Sequence, residues 1–269
     1  MPPASVPRQN RKLALSALLA LATGPLPLFA QSQSPANGAW QTMRPSLYGT
    51  RDIGESGDEL MSVEAPGSTP DPSATPVVLH FGPALEGRVK RVRVIIDNNP
   101  SPLAATMELA PNLPVQEIDL RVRIDRYTSV RAVAETTDGR LEMRSTWVNA
   151  SGGCSAPPGA ADGGVLGQIR FRPSADARAL QISIRHPNNS GFQIDPVSGD
   201  AIPPHFVSHI RVSSGGQTLM EADTGISLSE NPTLRIASSK PLDAPITVEA
   251  TDIPTQARYS ATWAASNAP

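Results

Sequence analysis

The 269 residues carry 23 lysines and arginines against 25 aspartates and glutamates, a formal charge of −2, and only 4% aromatic side chains. That balance gives no support for nucleic-acid binding, and cores made mainly of Val, Ile, Leu and Ala suit thin sandwiches better than a large enzyme core around a deep cavity. The 28 prolines and 20 glycines speak against a helical protein and fit short strands joined by many turns.

In chain order, Arg8, Arg11 and Lys12 form a basic head, residues 13–22 are apolar, and Leu28, Phe29 and Ala30 offer a cleavage site before Gln31. The apolar run is too short and too interrupted by proline for a spanning helix of about 20 residues, so residues 1–30 read as a secretory signal and the mature protein as periplasmic, without membrane insertion. Its removal leaves 20 basic against 25 acidic side chains. Residues 31–75 are rich in Ser, Pro and Gly; Trp40, Met43, Leu47 and Tyr48 can anchor a short element there, and 66–76 reads as loop. Strand alternation follows: Val92, Val94 and Ile96; then Ile118, Leu120, Val122 and Ile124; then Leu141, Met143, Ser145 and Trp147. No segment of a dozen residues has a clean helical period. The expectation is an antiparallel sandwich over residues 31–148.

Basic residues cluster at Arg88, Lys90, Arg91 and Arg93, and again at Arg121, Arg123, Arg126 and Arg131. These read mainly as solvated strand faces. The functional alternative is local attraction for an acidic partner or an anionic cargo.

Residues 149–164, NASGGCSAPPGAADGG, break the pattern and read as a linker, flexible at its glycines and stiffer at Pro157 and Pro158. They contain the chain's one cysteine, Cys154, which excludes an intrachain disulfide and a thiolate metal site. A lone thiol in an oxidising compartment invites modification. Gly152 and Gly153 remove crowding before it and only small residues follow, so the thiol is expected to be exposed and reactive, and bulky replacements of both glycines are expected to spare folding.

Alternation resumes at Val165, Gly167, Ile169 and Phe171, then at Leu180, Ile182 and Ile184. Residues 206–212 form the next strand, Ser214, Gly215 and Gly216 a turn, Ile246, Val248 and Ala250 another strand, and Tyr259, Ala261 and Trp263 the last. Residues 165–269 thus form a second sandwich, and the fold class is all-β. His80, His186, His205 and His209 have no spacing that marks a base for Cys154 or a zinc site, and each reads as a structural or surface histidine. Without a metal cluster, a triad spacing or a nucleotide loop, no cofactor and no catalytic activity are expected.

The segment around Cys154 and its flanking motifs resemble the fused SoxY–SoxZ carriers of sulfur oxidation, and among them the single-chain carriers associated with quinoprotein dehydrogenases. The SoxY-like part carries DNNPSP at 97–102, RVRI at 121–124, SVRAVAE at 129–135, TDG at 137–139 and GGC at 152–154. The SoxZ-like part carries His186 and Pro187, SGF at 190–192, IPP at 202–204, Ala222 and Asp223, ENP at 230–232 and the closing stretch 259–263. The resemblance implies immunoglobulin-like domains, neither of them a catalyst. It makes Cys154 the residue that holds a pathway intermediate covalently, Gly152 and Gly153 its swinging arm, and periplasmic oxidoreductases such as quinoprotein dehydrogenases or c-type cytochromes its partners. The alternative function is a non-covalent adaptor for a periplasmic dehydrogenase or cytochrome. Where the SoxY pattern ends in two further glycines, this chain continues through Ser155, Ala156, Pro157 and Pro158, so its arm is tethered at both ends. The two halves are expected to pack together, with residues 129–135 and 230–232 near their contact.

Overall fold

A computed structural model describes residues 1, 38–111, 113–159, 164–242 and 245–264. The leader expected over residues 1–30 lies outside these apart from Met1. The chain is all-β, as two immunoglobulin-like sandwiches. The first half supplies β1 (Gly54–Glu55), β2 (Met61–Glu64), β3 (Thr75–Phe81), β4 (Val89–Ile96), β5 (Leu103–Leu109), β6 (Val115–Val122), β7 (Thr128–Thr136) and β8 (Leu141–Val148). The second supplies β9 (Ile169–Pro173), β10 (Ala179–Ile184), β11 (Phe206–Ser214), β12 (Gln217–Thr224), β13 (Thr233–Ser238), β14 (Ile246–Ile253) and β15 (Arg258–Trp263).

The halves are joined by strand pairing. One sheet runs β1-β8-β7-β4-β5-β12-β11-β14-β15 and the other β2-β3-β6-β13-β10-β9. Both cross from one half to the other, through β5 on β12, with Met107 opposite Ala222, and through β6 on β13, with Ile118 opposite Ile236. Alternating side chains face inward along each strand, and those of both halves merge into one apolar core that includes Met107, Ile118, Leu120, Ile182, Ile210, Met220 and Ile236. The described residues from Gly38 onward accordingly form one compact unit. Of the two segments expected near the contact, 230–232 adjoins it, because Leu228 bridges to Val122 and the Ser229 N–H donates to the Arg121 carbonyl. Residues 129–135 do not: they lie in β7, between β4 and β8.

One helix departs from the sequence reading. α1 (Gly38–Tyr48) places Trp40, Met43, Leu47 and Tyr48 on one face, at the 3–4 spacing of a helix. That face covers Ile95, Val133, Leu141 and Met143 on the outer side of the larger sheet. β7 is therefore covered on both sides, and every residue from Thr128 to Thr136 is buried. Arg131 of this strand donates through Nε to both Asp97 carboxylate oxygens, at 2.9 and 2.8 Å, and stacks 5.2 Å from the Trp40 ring centre. Arg131 and Arg123 are thus buried, at 3% and 1% exposure, and not on solvated strand faces. No helix among the described residues is long and apolar enough to cross a membrane.

Candidate functional site: a cysteine held in the seam between the halves

The platform beneath Cys154 is built by the turn after β4. Asn99 is buried and uses its whole amide: Nδ2 donates to the Arg123 carbonyl at 2.7 Å and to Ser227 Oγ at 3.0 Å, while Oδ1 accepts the Asp125 N–H at 2.9 Å. The Arg123 N–H donates to the Ser227 carbonyl at 2.7 Å. A residue of the first half thus fixes residues 123–125 against a loop of the second. The Ile124 N–H is taken by the Pro72 carbonyl at 2.8 Å, which closes the platform from the other side.

The chain leaving β8 lies down on this platform. The Asn149 N–H donates to the Gly67 carbonyl, the Gly152 N–H to Asp125 and the Gly153 N–H to Ile124, each at 2.9 Å. Gly152 has φ +79°, a conformation that side chains disfavour, yet open space surrounds its Cα. Gly153 is required for another reason. A Cβ there would lie 2.1 Å from the Pro72 carbonyl oxygen and 2.7 Å from Ile124 N and O. The expectation that both glycines can be replaced without structural cost is therefore corrected at Gly153, where backbone packs directly on backbone.

The second half closes over the top. Ser190 Oγ donates to the Cys154 carbonyl, and Gln193 Nε2 donates to Ala156 O at 2.9 Å. Gln193 is itself held, its Oε1 accepting the Ser190 N–H at 3.0 Å. Farther along, the Gly159 N–H donates to Glu230 Oε2 at 2.7 Å. Arg123 reaches the same seam, with Nη1 donating to Gly153 O at 3.1 Å and Nη2 to Asn188 O at 3.3 Å.

The result corrects a second expectation. Cys154 is a free cysteine with 0% exposure, not an exposed thiol on a mobile arm. A glycine-rich run carries no apolar signal of burial. Its backbone is drawn in by hydrogen bonds whose partners lie far away in sequence. Burial pushes the thiol pKa up to about 11; the Asp125 carboxylate adds to the rise and Arg123 opposes it. The seated sulfur is thus a protonated thiol at neutral pH, and the thiolate is the nucleophilic form. Among the described residues no histidine forms a hydrogen bond or ion pair with it; the charged groups that act on it are Asp125 and Arg123.

No spacing in the sequence links His186, His205 and Asp252, and the fold brings them together. His186 Nε2 and His205 Nε2 lie 3.4 and 2.8 Å from the same oxygen, Asp252 Oδ2, to which the Tyr259 hydroxyl also donates at 2.8 Å. The Asn188 N–H donates to His186 Nδ1 at 3.0 Å, which puts the neutral ring's proton on Nε2, facing the carboxylate. That tautomer makes a hydrogen-bonded cluster and leaves no lone pair on Nε2 for a cation, although the three candidate ligand atoms lie within 4.8 Å of one another. Burial raises the Asp252 pKa, but hydrogen bonds from Thr255, His205, Tyr259 and the Ala257 N–H outweigh it and hold the carboxyl well below its ordinary range. Burial and the neighbouring His205 lower the His186 pKa. The cluster anchors the loop after His186, which carries Asn188, Ser190 and Gln193 to the seam. Its signal in the sequence is only His186 before Pro187; the partners come from β14 (Asp252), β15 (Tyr259) and His205, just before β11.

The family model for the sulfur oxidation protein SoxY matches residues 44–154, ending on Cys154, and that for the sulphur oxidation protein SoxZ matches residues 170–262. A comparison with curated proteins finds no match. Among solved structures, the sulfur carrier protein SoxY from Chlorobium limicola f thiosulfatophilum is similar at 19% identity over 41% of this chain and 94% of its own, with a TM-score of 0.35. A superoxide reductase (neelaredoxin) from Ignicoccus hospitalis is similar at 10% identity over 34% of this chain and 79% of its own, with a TM-score of 0.30. At these scores neither likeness carries an argument about function. The two family matches stand in tandem across most of the chain and are carried by two sandwiches that share both sheets, and on them the chain belongs to the fused SoxY–SoxZ family of sulfur-oxidation carrier proteins.

Proposed function

We propose that Cys154 holds a sulfur-containing pathway intermediate covalently on its Sγ, with Gly152 and Gly153 as the arm that carries it between partner enzymes. The observation that carries this reading is the position of the cysteine: the SoxY match ends on it, and it is the one thiol in the chain. Its burial gives the proposal a mechanism in two states. Seated, the sulfur is protonated and screened from adventitious oxidants. Unseated, it regains an ordinary thiol pKa and enters a partner's active site. Lifting the arm breaks the bonds from Ser190, Gln193 and Arg123, at a cost on the order of a few kcal/mol, which a docking partner can supply.

A secretory leader read from residues 1–30 would send the protein to the periplasm, where periplasmic oxidoreductases, quinoprotein dehydrogenases or c-type cytochromes, are the proposed partners. The test is Cys154→Ser in cells that depend on the protein. The variant is expected to fold, losing about 1–2 kcal/mol because a hydroxyl replaces sulfur in a fully buried seat, and to lose sulfur-dependent function completely. Unchanged function in the folded variant would move the reading to a non-covalent adaptor.

A further inference from the structure

The carrier reading leaves one buried charge without a role. Arg123 is 1% exposed, and its hydrogen-bond partners are two neutral backbone carbonyls, Gly153 O and Asn188 O. Among the described residues its Nε has no hydrogen-bond partner. Arg131, the other buried arginine of the first half, is paired with Asp97 at 2.8 Å, whereas among the described residues no carboxylate forms an ion pair with Arg123. Glu230 and Asp71 act on it only through space, as does the Cys154 sulfur. A buried guanidinium with no anion is costly, and an N–H left without an acceptor adds to that cost. The carbonyl that Arg123 does hold belongs to the residue before Cys154, so the charge sits at the root of the arm.

We infer that Arg123 is a specificity-determining residue, the counter-charge for a small anionic group carried on Cys154 Sγ, which makes the seam retain anionic adducts in preference to neutral or cationic ones. An oxyanion is a stronger acceptor for a guanidinium than a peptide carbonyl, and inside a dry seam the difference is large. Asp125 works in the opposite direction, but its carboxylate faces Arg126 at 3.7 Å. The inference rests on Cys154 being the attachment point. It deepens that reading by giving the cargo a charge.

Three adducts of similar length, carrying sulfonatoethyl, hydroxyethyl or aminoethyl groups, test it. Each is installed from the corresponding methanethiosulfonate on the chain opened in urea: the thiolate attacks the sulfenyl sulfur, a disulfide forms, and methanesulfinate leaves. After refolding, the rate at which dithiothreitol releases each group is divided by its rate in the unfolded chain, which cancels the intrinsic reactivity of each adduct. The sulfonate is expected to be released about tenfold more slowly than the hydroxyethyl group, the effect of one charge-assisted hydrogen bond, and the aminoethyl group fastest. Arg123→Gln is expected to abolish that order, and Arg123→Lys to preserve it. Equal normalised rates in the parent protein would overturn the inference without any variant, and so would an order that survives Arg123→Gln. Because the adducts are made chemically, failure here leaves the carrier reading standing. A cell that never loads Cys154 would overturn the carrier reading and leave this charge order intact.

Discussion

Cys154 in the folded protein is expected to react with a maleimide at least about a thousandfold more slowly than in the unfolded chain. A sulfur with 0% exposure excludes the reagent, so labelling proceeds only from the unseated arm. The slowing is then the closure constant itself, and a thousandfold corresponds to about 4 kcal/mol of seating. The seated thiol, its pKa raised from 9.0 to about 11 by burial, opens no competing route. Ser190→Ala and Gln193→Ala each remove a bond that holds the arm down. Each is expected to speed labelling about five- to tenfold, as about 1 kcal/mol of lost closure implies. The pH dependence has a definite sign. The folded-state pKa lies above the unfolded one, so the buried thiol contributes stability that is fully present below pH 9 and is lost as the pH rises through about 11. Cys154→Ser should remove that alkaline component. Rapid native labelling, equal to that of the unfolded chain, would contradict the seated arrangement.

The second large effect is at Gly153. A Cβ at 2.1 Å from the Pro72 carbonyl oxygen has no rotamer by which to escape, and its other neighbours at 2.7 Å are backbone atoms as well. Gly153→Ala is therefore expected to expel the arm. The sheets remain paired through β5–β12 and β6–β13, which the arm does not touch. Stability should fall by about 3 kcal/mol, within the range of a lost set of buried hydrogen bonds, and Cys154 should label about a hundredfold faster than in the parent, as two decades of lost closure imply. Gly152→Ala is the matched control: its nearest obstacle is Ser155 Oγ at 4.0 Å, so only the positive φ is strained, at about 1 kcal/mol. Equal effects at the two glycines, measured by denaturant unfolding and labelling together, would mean that close packing at Gly153 does not hold the arm.

Much of this architecture is legible in the residues. Alternation at Val92, Val94 and Ile96, at Leu180, Ile182 and Ile184, and at Ile246, Val248 and Ala250 marks strands β4, β10 and β14 where they stand. β7 alternates Val130, Ala132 and Ala134 with Ser129, Arg131 and Glu135, yet both sets are buried because helix α1 covers the outer face, so its polar residues do not mark a solvent face. The helix itself is encoded in Trp40, Met43, Leu47 and Tyr48, whose spacing is helical, but the proline at 45 and the surrounding Ser and Pro obscure it. Cys154 stands out as a lone thiol between small residues. Its seat does not, because that seat is made of backbone groups at Pro72, Ile124 and Asp125, and of Ser190 and Gln193 from a loop of the other half. The joining of β5 to β12 and of β6 to β13 is likewise a matter of strand edges, which a hydrophobic pattern does not label.

The most direct test of the central claim is the intact mass of the protein purified without reductant from cells oxidising reduced sulfur compounds, measured before and after mild reduction. The account predicts a mass increment on the native protein, located at Cys154, removed by reduction and lacking in Cys154→Ser. An unmodified thiol in every preparation, under conditions where the pathway is running, would contradict it.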